Sequence, residues 1–290
     1  MGFSLKYGYY LLVPIFMKIK YTFIKSSLAL FVLAFAIGAG AQTINPLPKV
    51  SDDWRFSVSI NAWAPESWTT TTAGKLSKST YSSISDNLNS AGGFAQLTGE
   101  AHKGNWGVMA DLVYWQMLGS GSKTRYAPSR DDASLYAGVN GKDTQTILTM
   151  AATYTAYNSS SLYLDGLAGV RYITSTTTLD ATAKLALDGT TVASATKYPS
   201  ATNQTMDPVI GFKGRARIAD TSWFVPFYAD IGKGPSSNNG TWQTLIGIGN
   251  AYSWGDVTLA YRAMGFHLNG AVGKTNYTNA GPQLSATFNF

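Results

Sequence analysis

Beyond residue 53 the chain falls into segments in which apolar and polar side chains alternate with a period of two residues. At the start of this region Phe56, Val58 and Ile60 alternate with Ser57 and Ser59. Such alternation predicts β-strands with one apolar and one polar face. Ten segments of nine to fourteen residues carry the pattern, and they are the predicted strands: Trp54–Ala64, Phe94–His102, Asn105–Met117, Thr144–Tyr157, Ser161–Ile173, Met206–Ile218, Trp223–Gly232, Thr241–Tyr252, Asp256–Phe266 and Ala280–Phe290.

The connections between these strands alternate between long and short. The long ones are residues 65–93, 118–143, 174–205, 233–240 and 267–279, and the short ones are 103–104, 158–160, 219–222 and 253–255. Outer-membrane barrels have an even number of strands, short periplasmic turns and longer extracellular loops. The chain is therefore predicted to be all-β, a transmembrane up-and-down antiparallel β-barrel of ten strands that begins and ends in the periplasm.

The long connection 174–205 bears on the number of strands. It contains Asp188-Gly189, a hairpin turn signal, between two stretches of alternating residues. We predict an extracellular hairpin here. The first alternative is a further pair of barrel strands, which would make twelve. The second alternative is a barrel of eight strands.

The polar face of the predicted strands indicates what surrounds the sheet. It carries Gly, Ser and Thr, whereas a soluble sheet would place Lys and Glu where it meets water. The apolar face, with Val58, Leu112, Leu259 and Leu284, is therefore predicted to contact hydrocarbon. Aromatic girdles are expected at both interfaces, formed by Trp54, Trp106, Tyr157, Trp223, Trp254 and Phe290 on the periplasmic side and by Phe94, Trp115, Tyr172, Trp242 and Phe266 on the extracellular side.

Composition excludes the main alternatives to a barrel. The 290 residues are 45% hydrophobic and 13% aromatic but only 13% charged, about half the charge of an average soluble chain. A mean hydropathy of -0.04 excludes a bundle of transmembrane helices. The aromatic content argues against disorder, and the absence of cysteine excludes disulfides and thiolate metal sites.

Residues 1–41 have the features of a secretory signal peptide. An apolar run over residues 27–37 follows several lysines, and small residues lead to a predicted cleavage site after Ala41. The apolar run is too short to serve as a membrane anchor. Met17 is an alternative start for the same signal. Residues 42–53 are then a periplasmic lead-in, and residues 54–290 form the barrel.

The chain ends in Thr287-Phe288-Asn289-Phe290, after a run of alternating apolar positions. This ending resembles the C-terminal signature of bacterial outer-membrane barrels, which the barrel-assembly machinery recognises in that family. The resemblance makes Phe288 and Phe290 the candidate assembly signal. More loosely, the chain resembles small proteobacterial-type outer-membrane proteins through residues 165–172, 207–211, 228–232 and 260–262. These short motifs imply a fold and an outer-membrane location, and they imply no chemistry.

Charged residues of the predicted strands fall on the inward face. They are Arg55, Glu100, Asp111, Asp165, Arg171, Asp207, Lys213, Arg215, Arg217, Asp230 and Arg262. Small barrels have interiors just wide enough for side chains, which favours a lumen plugged by ion pairs and a structural or surface-interaction role. The alternative is a narrow porin-like channel for small hydrophilic solutes, in which Lys213, Arg215 and Arg217 favour anions. Inward glycines, such as Gly107 and Gly249, support the channel if they leave free space.

The sequence predicts no enzyme. His102 and His267 fall at opposite ends of the barrel and cannot act together, and no Gly-x-Ser-x-Gly motif occurs. A barrel enzyme is therefore the weakest alternative, and we expect no metal and no cofactor.

The expected partners follow from the location of the barrel. Without the four lysines of the signal, 18 basic and 16 acidic residues remain, so the net charge of +6 falls to about +2. We expect no nucleic-acid partner, because basic stripes are absent. We expect contacts with outer-membrane lipid and lipopolysaccharide, and with the secretion and barrel-assembly machinery during biogenesis. The sequence carries no signal of the oligomeric state.

Overall fold

A computed structural model describes residues 44–127, 132–234, 239–270 and 273–290. They form thirteen β-strands and one short helix, α1 (Ile84–Ser90). The signal peptide predicted for residues 1–41 lies outside the described residues. In chain order the strands are β1 (Arg55–Trp63), β2 (Glu66–Ala73), β3 (Leu76–Ser82), β4 (Ala91–Lys103), β5 (Trp106–Ala127), β6 (Ala133–Asn158), β7 (Leu162–Leu187), β8 (Thr190–Lys197), β9 (Ser200–Arg217), β10 (Trp223–Gly232), β11 (Thr241–Tyr252), β12 (Gly255–Gly270) and β13 (Gly273–Asn289).

Ten of the strands close into a ring. Their order is β1-β4-β5-β6-β7-β9-β10-β11-β12-β13, and β13 pairs back onto β1 from Ser57↔Asn289 to Trp63↔Gln283. Every pairing in the ring is antiparallel. A closed ring leaves no strand edge exposed to lipid, which is the condition for a sheet to cross a membrane. The predicted ten-stranded up-and-down barrel is confirmed.

Three strands extend far beyond their predicted ends. β5 continues to Ala127, β6 begins at Ala133 and β7 continues to Leu187. Pairing between β5 and β6 runs without a break from the barrel to Ala127↔Ala133. The prediction of a loop over residues 118–143 is therefore wrong, because the alternation continues there with Ser, Thr and Ala in place of large apolar residues.

The hairpin predicted around Asp188-Gly189 is confirmed. Both residues have positive φ, 47° and 75°, as in the tight turn that this dipeptide favours. The turn joins β7 to β8, and among the described residues β8 pairs with β7 alone. The alternative of twelve barrel strands is therefore wrong. Residues 118–127 of β5, 133–143 of β6 and 177–187 of β7, together with β8, form a four-stranded layer beyond the barrel, which we name the extracellular sheet.

A second extension rises from the rim at β13, which is separated from β5 by β1 and β4 in the ring. β2 continues the line of β1 after a break at Pro65 and pairs with residues 274–280 of β13. β3 pairs with β2, and α1 follows with Ser83 as its N-cap. Within the part of the chain that the structure describes, no helix is long and apolar enough to cross a membrane.

The outward face of the ring is apolar, as predicted. Val58 and Leu259 point outward and are 44% and 53% exposed, and Leu112 and Leu284 share that face. All six aromatic residues predicted for the periplasmic girdle are exposed. The extracellular girdle is wrong at Trp115 and Phe266, which point inward. Trp115 lies four residues after the inward Asp111 on β5, and Phe266 lies four residues after the inward Arg262 on β12, so each shares the inward face of its strand.

The lead-in lies across the periplasmic opening of the barrel. The Ile44 amide donates to Ser222 Oγ in the β9–β10 turn, and Arg215 donates to the Pro46 carbonyl from inside β9. On the other side of the ring, the Gly104 amide donates to the Ser51 carbonyl at 2.8 Å. Leu47 is buried between these contacts. The short segment therefore covers the periplasmic end of the lumen.

Candidate functional site

Inward charges in the periplasmic half of the lumen form a cluster around Lys213. Its ammonium group pairs with the carboxylate of Glu100, and its Nζ lies 3.4 Å from Asp165 Oδ2. Glu100 Oε2 also lies 3.2 Å from His102 Nε2, and Asp165 accepts a hydrogen bond from Thr155 Oγ1 at 2.8 Å. Lys213 on β9 thus pairs with one carboxylate on β4 and one on β7, so one cation joins three strands.

A second pair, Arg171 and Asp230, is completely buried in the middle of the lumen. Both terminal nitrogens of Arg171 bind the carboxylate oxygens of Asp230. Arg171 Nε donates to Thr149 Oγ1 at 2.9 Å, and Tyr228 Oη donates to Asp230. A paired guanidinium and carboxylate whose remaining groups are hydrogen-bonded can remain charged in a dry interior.

A third pair, Arg262 and Asp111, links the polar part of the lumen to an apolar part. Arg262 Nη2 contacts Asp111 Oδ2 and also donates to Gln243 Oε1 at 3.0 Å. Its guanidinium carbon lies 5.2 Å from the centre of the Trp63 ring, a cation–π contact. Both charged groups are buried.

The remaining predicted charges lie closer to the barrel ends. Arg215 Nη1 pairs with Asp256 Oδ2 at 2.8 Å, and Arg217 lies 3.8 Å from Asp220 in a periplasmic turn. Arg55 donates to the Gly104 carbonyl at 3.1 Å. Buried Asp207 accepts from Thr205 Oγ1 at 2.6 Å.

All eleven predicted charges therefore lie on the inward face, and nine of them are in ion pairs. Among the described residues, Arg55 and Asp207 have no ion-pair partner. The lumen charges are thus largely neutralised by one another, as the plugged alternative requires. Whether they line a path for ions stays a prediction.

An apolar cluster fills the lumen on the extracellular side of these charges. Its buried members are Trp63, Val113, Ile147, Ile173, Met264, Phe266 and Leu268. Trp115 stacks on Trp63 with ring centres 5.5 Å apart, and Tyr277 stacks on Phe266 at 4.9 Å. These residues come from six strands around the ring, so the cluster spans the lumen.

The inward glycines do not leave the free space that the channel alternative requires. A Cβ atom added to Gly107 would lie 2.6 Å from Thr153 Oγ1 and would collide with the His102 ring. One added to Gly249 would collide with the Phe224 ring and would lie 2.8 Å from Thr258 Oγ1. The expectation of open space at these two glycines is wrong, because neighbouring side chains occupy it.

Sequence reasoning missed several members of this network. Asp256 lies six residues before Arg262 on β12, so the two side chains share the inward face. The alternation along this strand could therefore have identified Asp256 as an inward charge. Gln243 accepts hydrogen bonds from both Arg171 and Arg262, at 3.3 and 3.0 Å. A neutral glutamine gives no charge signal, and only the closed ring brings these two arginines to it. The apolar cluster was missed because interface girdles were expected at the same height.

Comparison with known proteins gives similarity in structure and none in sequence. Neither the protein-family models nor the sequences of curated proteins give a match to this chain. The chain is similar to the outer-membrane protease OmpT of Escherichia coli, with a TM-score of 0.48, 9% identity and coverage of 85% of this chain and 100% of that one. It is also similar to Ail, the attachment invasion locus protein of Yersinia pestis (TM-score 0.31, 10% identity, 81% and 99% covered). The translocator domain of the autotransporter NalP from Neisseria meningitidis is another match (TM-score 0.30, 9% identity, 94% and 98% covered).

Similarities at this level carry no information on activity or ligand. The closed antiparallel ring, its apolar outward face and its polar inward face decide the class instead. The protein is an outer-membrane β-barrel. Among the described residues there is no group of three or more His, Asp or Glu side chains placed to hold a metal ion.

The extracellular sheet of this barrel has two different faces. The face continuous with the lumen is apolar with basic edges, and its rows of paired residues are Arg125–Leu135–Leu185–Ala193, Lys123–Ala137–Ala183–Ala195 and Gly121–Val139–Ala181–Lys197. The opposite face is polar, with rows Ser120–Asn140–Asp180, Ser122–Gly138–Thr182 and Thr124–Tyr136–Lys184. Because most of these residues are exposed, the sheet offers side chains for contact on both sides.

Proposed function

We propose that this outer-membrane barrel does not conduct and that it holds the extracellular sheet above the membrane for contacts at the cell surface. The observation that carries the proposal is the filling of the lumen, by ion pairs in its periplasmic half and its middle and by an apolar cluster beyond them. The lead-in supports it by covering the periplasmic opening.

The energetics of the lumen support a closed barrel. A hydrated ion would have to separate Arg171 from Asp230 and Arg262 from Asp111, and breaking a buried pair costs about 3–5 kcal/mol. The same ion would then meet the apolar cluster around Trp63 and Phe266, where a charge loses its hydration without compensation.

The channel alternative loses its support for anion preference. Lys213, Arg215 and Arg217, which suggested that preference, each have a carboxylate partner, and Lys213 has two. A cation that is already neutralised attracts a passing anion only weakly. No observation on the described residues favours the channel over the plug.

We also propose that the protein has no catalytic role. The two histidines lie on opposite sides of the barrel wall, His102 buried beside Glu100 and His267 exposed on the outward face. A histidine that serves as a general base needs a nucleophile or substrate within hydrogen-bond reach.

The proposed partners follow from the surfaces. Outer-membrane lipid covers the apolar outward face, lipopolysaccharide surrounds the base of the extracellular sheet, and the barrel-assembly machinery reads the terminal aromatic residues. Phe288 and Phe290 are exposed on the outward side at the C-terminal end, which is compatible with that recognition.

Planar-bilayer recording tests the proposal directly. The refolded processed chain should give no discrete conductance steps under conditions in which a porin, as positive control, gives them. Steps whose ion preference reverses in the Arg215→Glu variant would overturn the proposal in favour of the channel. A destabilised barrel without steps is the expected result for that variant.

A further inference from the structure

A hollow of about 500 Å³ lies on the polar face of the extracellular sheet, outside the lumen network. It crosses β5, β6 and β7, and Gly138 stands at its centre. The surrounding side chains include Ser120, Ser122, Tyr136, Asn140, Asp180 and Lys184. Binding sites for small molecules usually have volumes of roughly 300–1,000 Å³, so the hollow is large enough for one.

Gly138 shapes the floor of the hollow. The Tyr136 side chain lies along its own strand with the phenol end over Gly138, where an added Cβ atom would be 2.8 Å from the ring carbon Cζ. Any other residue at position 138 would push the ring away from the sheet. The glycine therefore allows a half-buried aromatic floor, and the exposed Lys184 side chain places its Nζ over the ring, 5.9 Å from the ring centre.

The walls of the hollow are polar and carry no net charge. Within the described part of the chain, no hydrogen bond or ion pair engages the side chains of Ser120, Asn140 or Asp180. The carboxylate of Asp180 balances the ammonium group of Lys184, so an anionic ligand gains little there. Hydroxyl, amide and carboxylate groups together offer both donors and acceptors to a ligand rich in hydroxyl groups.

We infer that this hollow binds a neutral saccharide. One pyranose ring takes the place of the exposed Lys184 side chain and stacks its apolar face on the Tyr136 ring. Its hydroxyl groups bond to Asn140, Asp180 and Ser120. An aromatic floor gives apolar contact in a fixed plane, and the polar walls select the hydroxyl pattern. The inference rests on the proposed surface-interaction role and names the class of ligand for one face of the sheet.

Binding of the full processed chain in detergent to an array of neutral oligosaccharides tests the inference, with the sulfated form of each beside it. The wild-type protein should bind at least one neutral oligosaccharide, and bind it more tightly than its sulfated form. Tyr136→Ala should weaken that binding about tenfold or more, as loss of a central aromatic contact does. Gly138→Ala should weaken it as well, because the added Cβ displaces the ring.

Tyr126→Ala is the matched control. Tyr126 is a tyrosine on the same polar face, 77% exposed, and it lies outside the hollow. Its removal should leave the affinity unchanged. The inference is overturned if the wild type binds no neutral oligosaccharide or prefers the sulfated forms. It is equally overturned if Tyr136→Ala binds as the wild type does, or if Tyr126→Ala loses as much affinity as Tyr136→Ala.

The saccharide has two possible sources, which the probes distinguish. Binding of a neutral O-chain oligosaccharide released from the cell's own lipopolysaccharide would place the membrane glycolipid in the hollow. Binding of a free neutral oligosaccharide alone would indicate a ligand from outside the cell. If bilayer recording gives no conductance steps and no oligosaccharide of the array binds, this site is overturned and the proposal of a closed barrel stands. Conductance steps would overturn the closed barrel itself.

Discussion

The guanidinium group of Arg171 has five N–H donors, and four side chains accept from them. They are Thr149, Asp230, Thr241 and Gln243, which lie on β6, β10 and β11. The cation therefore ties β7 to one adjacent strand and to two strands further round the ring. A charge that is satisfied in this way holds the lumen closed, and the same charge without its partner would be an uncompensated buried ion.

Replacement of Arg171 by methionine should therefore be costly. It leaves Asp230 buried without a cation, and the expected loss is about 3–5 kcal/mol in the free energy of unfolding. Urea unfolding of the refolded barrel in lipid vesicles, followed by tryptophan fluorescence, measures this loss. Arg125→Met is the control, because Arg125 is exposed at the edge of the extracellular sheet and should cost less than about 0.5 kcal/mol. Equal effects of the two variants would contradict the structural role of the pair.

The lead-in is held at the periplasmic opening by a few hydrogen bonds. It crosses the opening without joining the sheet, and Pro46 and Leu47 are its buried residues. Its attachment therefore depends on these hydrogen bonds and on the burial of two residues, of which the leucine contributes about 1.5–3 kcal/mol. Such a segment can detach while the closed ring behind it stays folded.

Leu47→Asp should release the lead-in from the opening. Loss of the buried leucine should raise the rate of cleavage within residues 44–53 by about tenfold or more, since roughly 1.4 kcal/mol corresponds to a factor of ten. Proteinase K digestion with mass analysis of the resulting N-terminus measures that rate. Lys49→Asp, at an exposed position of the same segment, should be cut as slowly as the wild type. Slow cleavage of Leu47→Asp would show that hydrogen bonds alone hold the segment.

At the scale of the whole molecule, the sequence predicted the barrel better than its interior. β10 and β11 begin and end at the predicted residues, because both are rich in aromatic and branched apolar residues and lie between short polar or glycine-containing connections. The outer parts of β5 and β6 were missed because Gly and Ser at positions such as 119–122 resemble loop composition. Which charge meets which, as in Arg171 with Asp230, depends on distances across the closed ring that alternation along a strand does not contain.

If hydrocarbon surrounds the ring of the barrel, the same substitution should have different costs at two leucines of nearly equal exposure. Leu97 on the outward face of β4 is 45% exposed, and Leu135 on the extracellular sheet is 50% exposed. Leu97→Arg should cost about 2–4 kcal/mol in lipid vesicles, because a charge facing the middle of the bilayer loses its hydration. Leu135→Arg should cost less than about 1 kcal/mol, because its side chain already meets water and its one new conflict is with the exposed Arg125 on the paired strand. Urea unfolding of both variants in the same vesicles compares them, and a similar cost for both would mean that lipid does not surround the outward face of the ring.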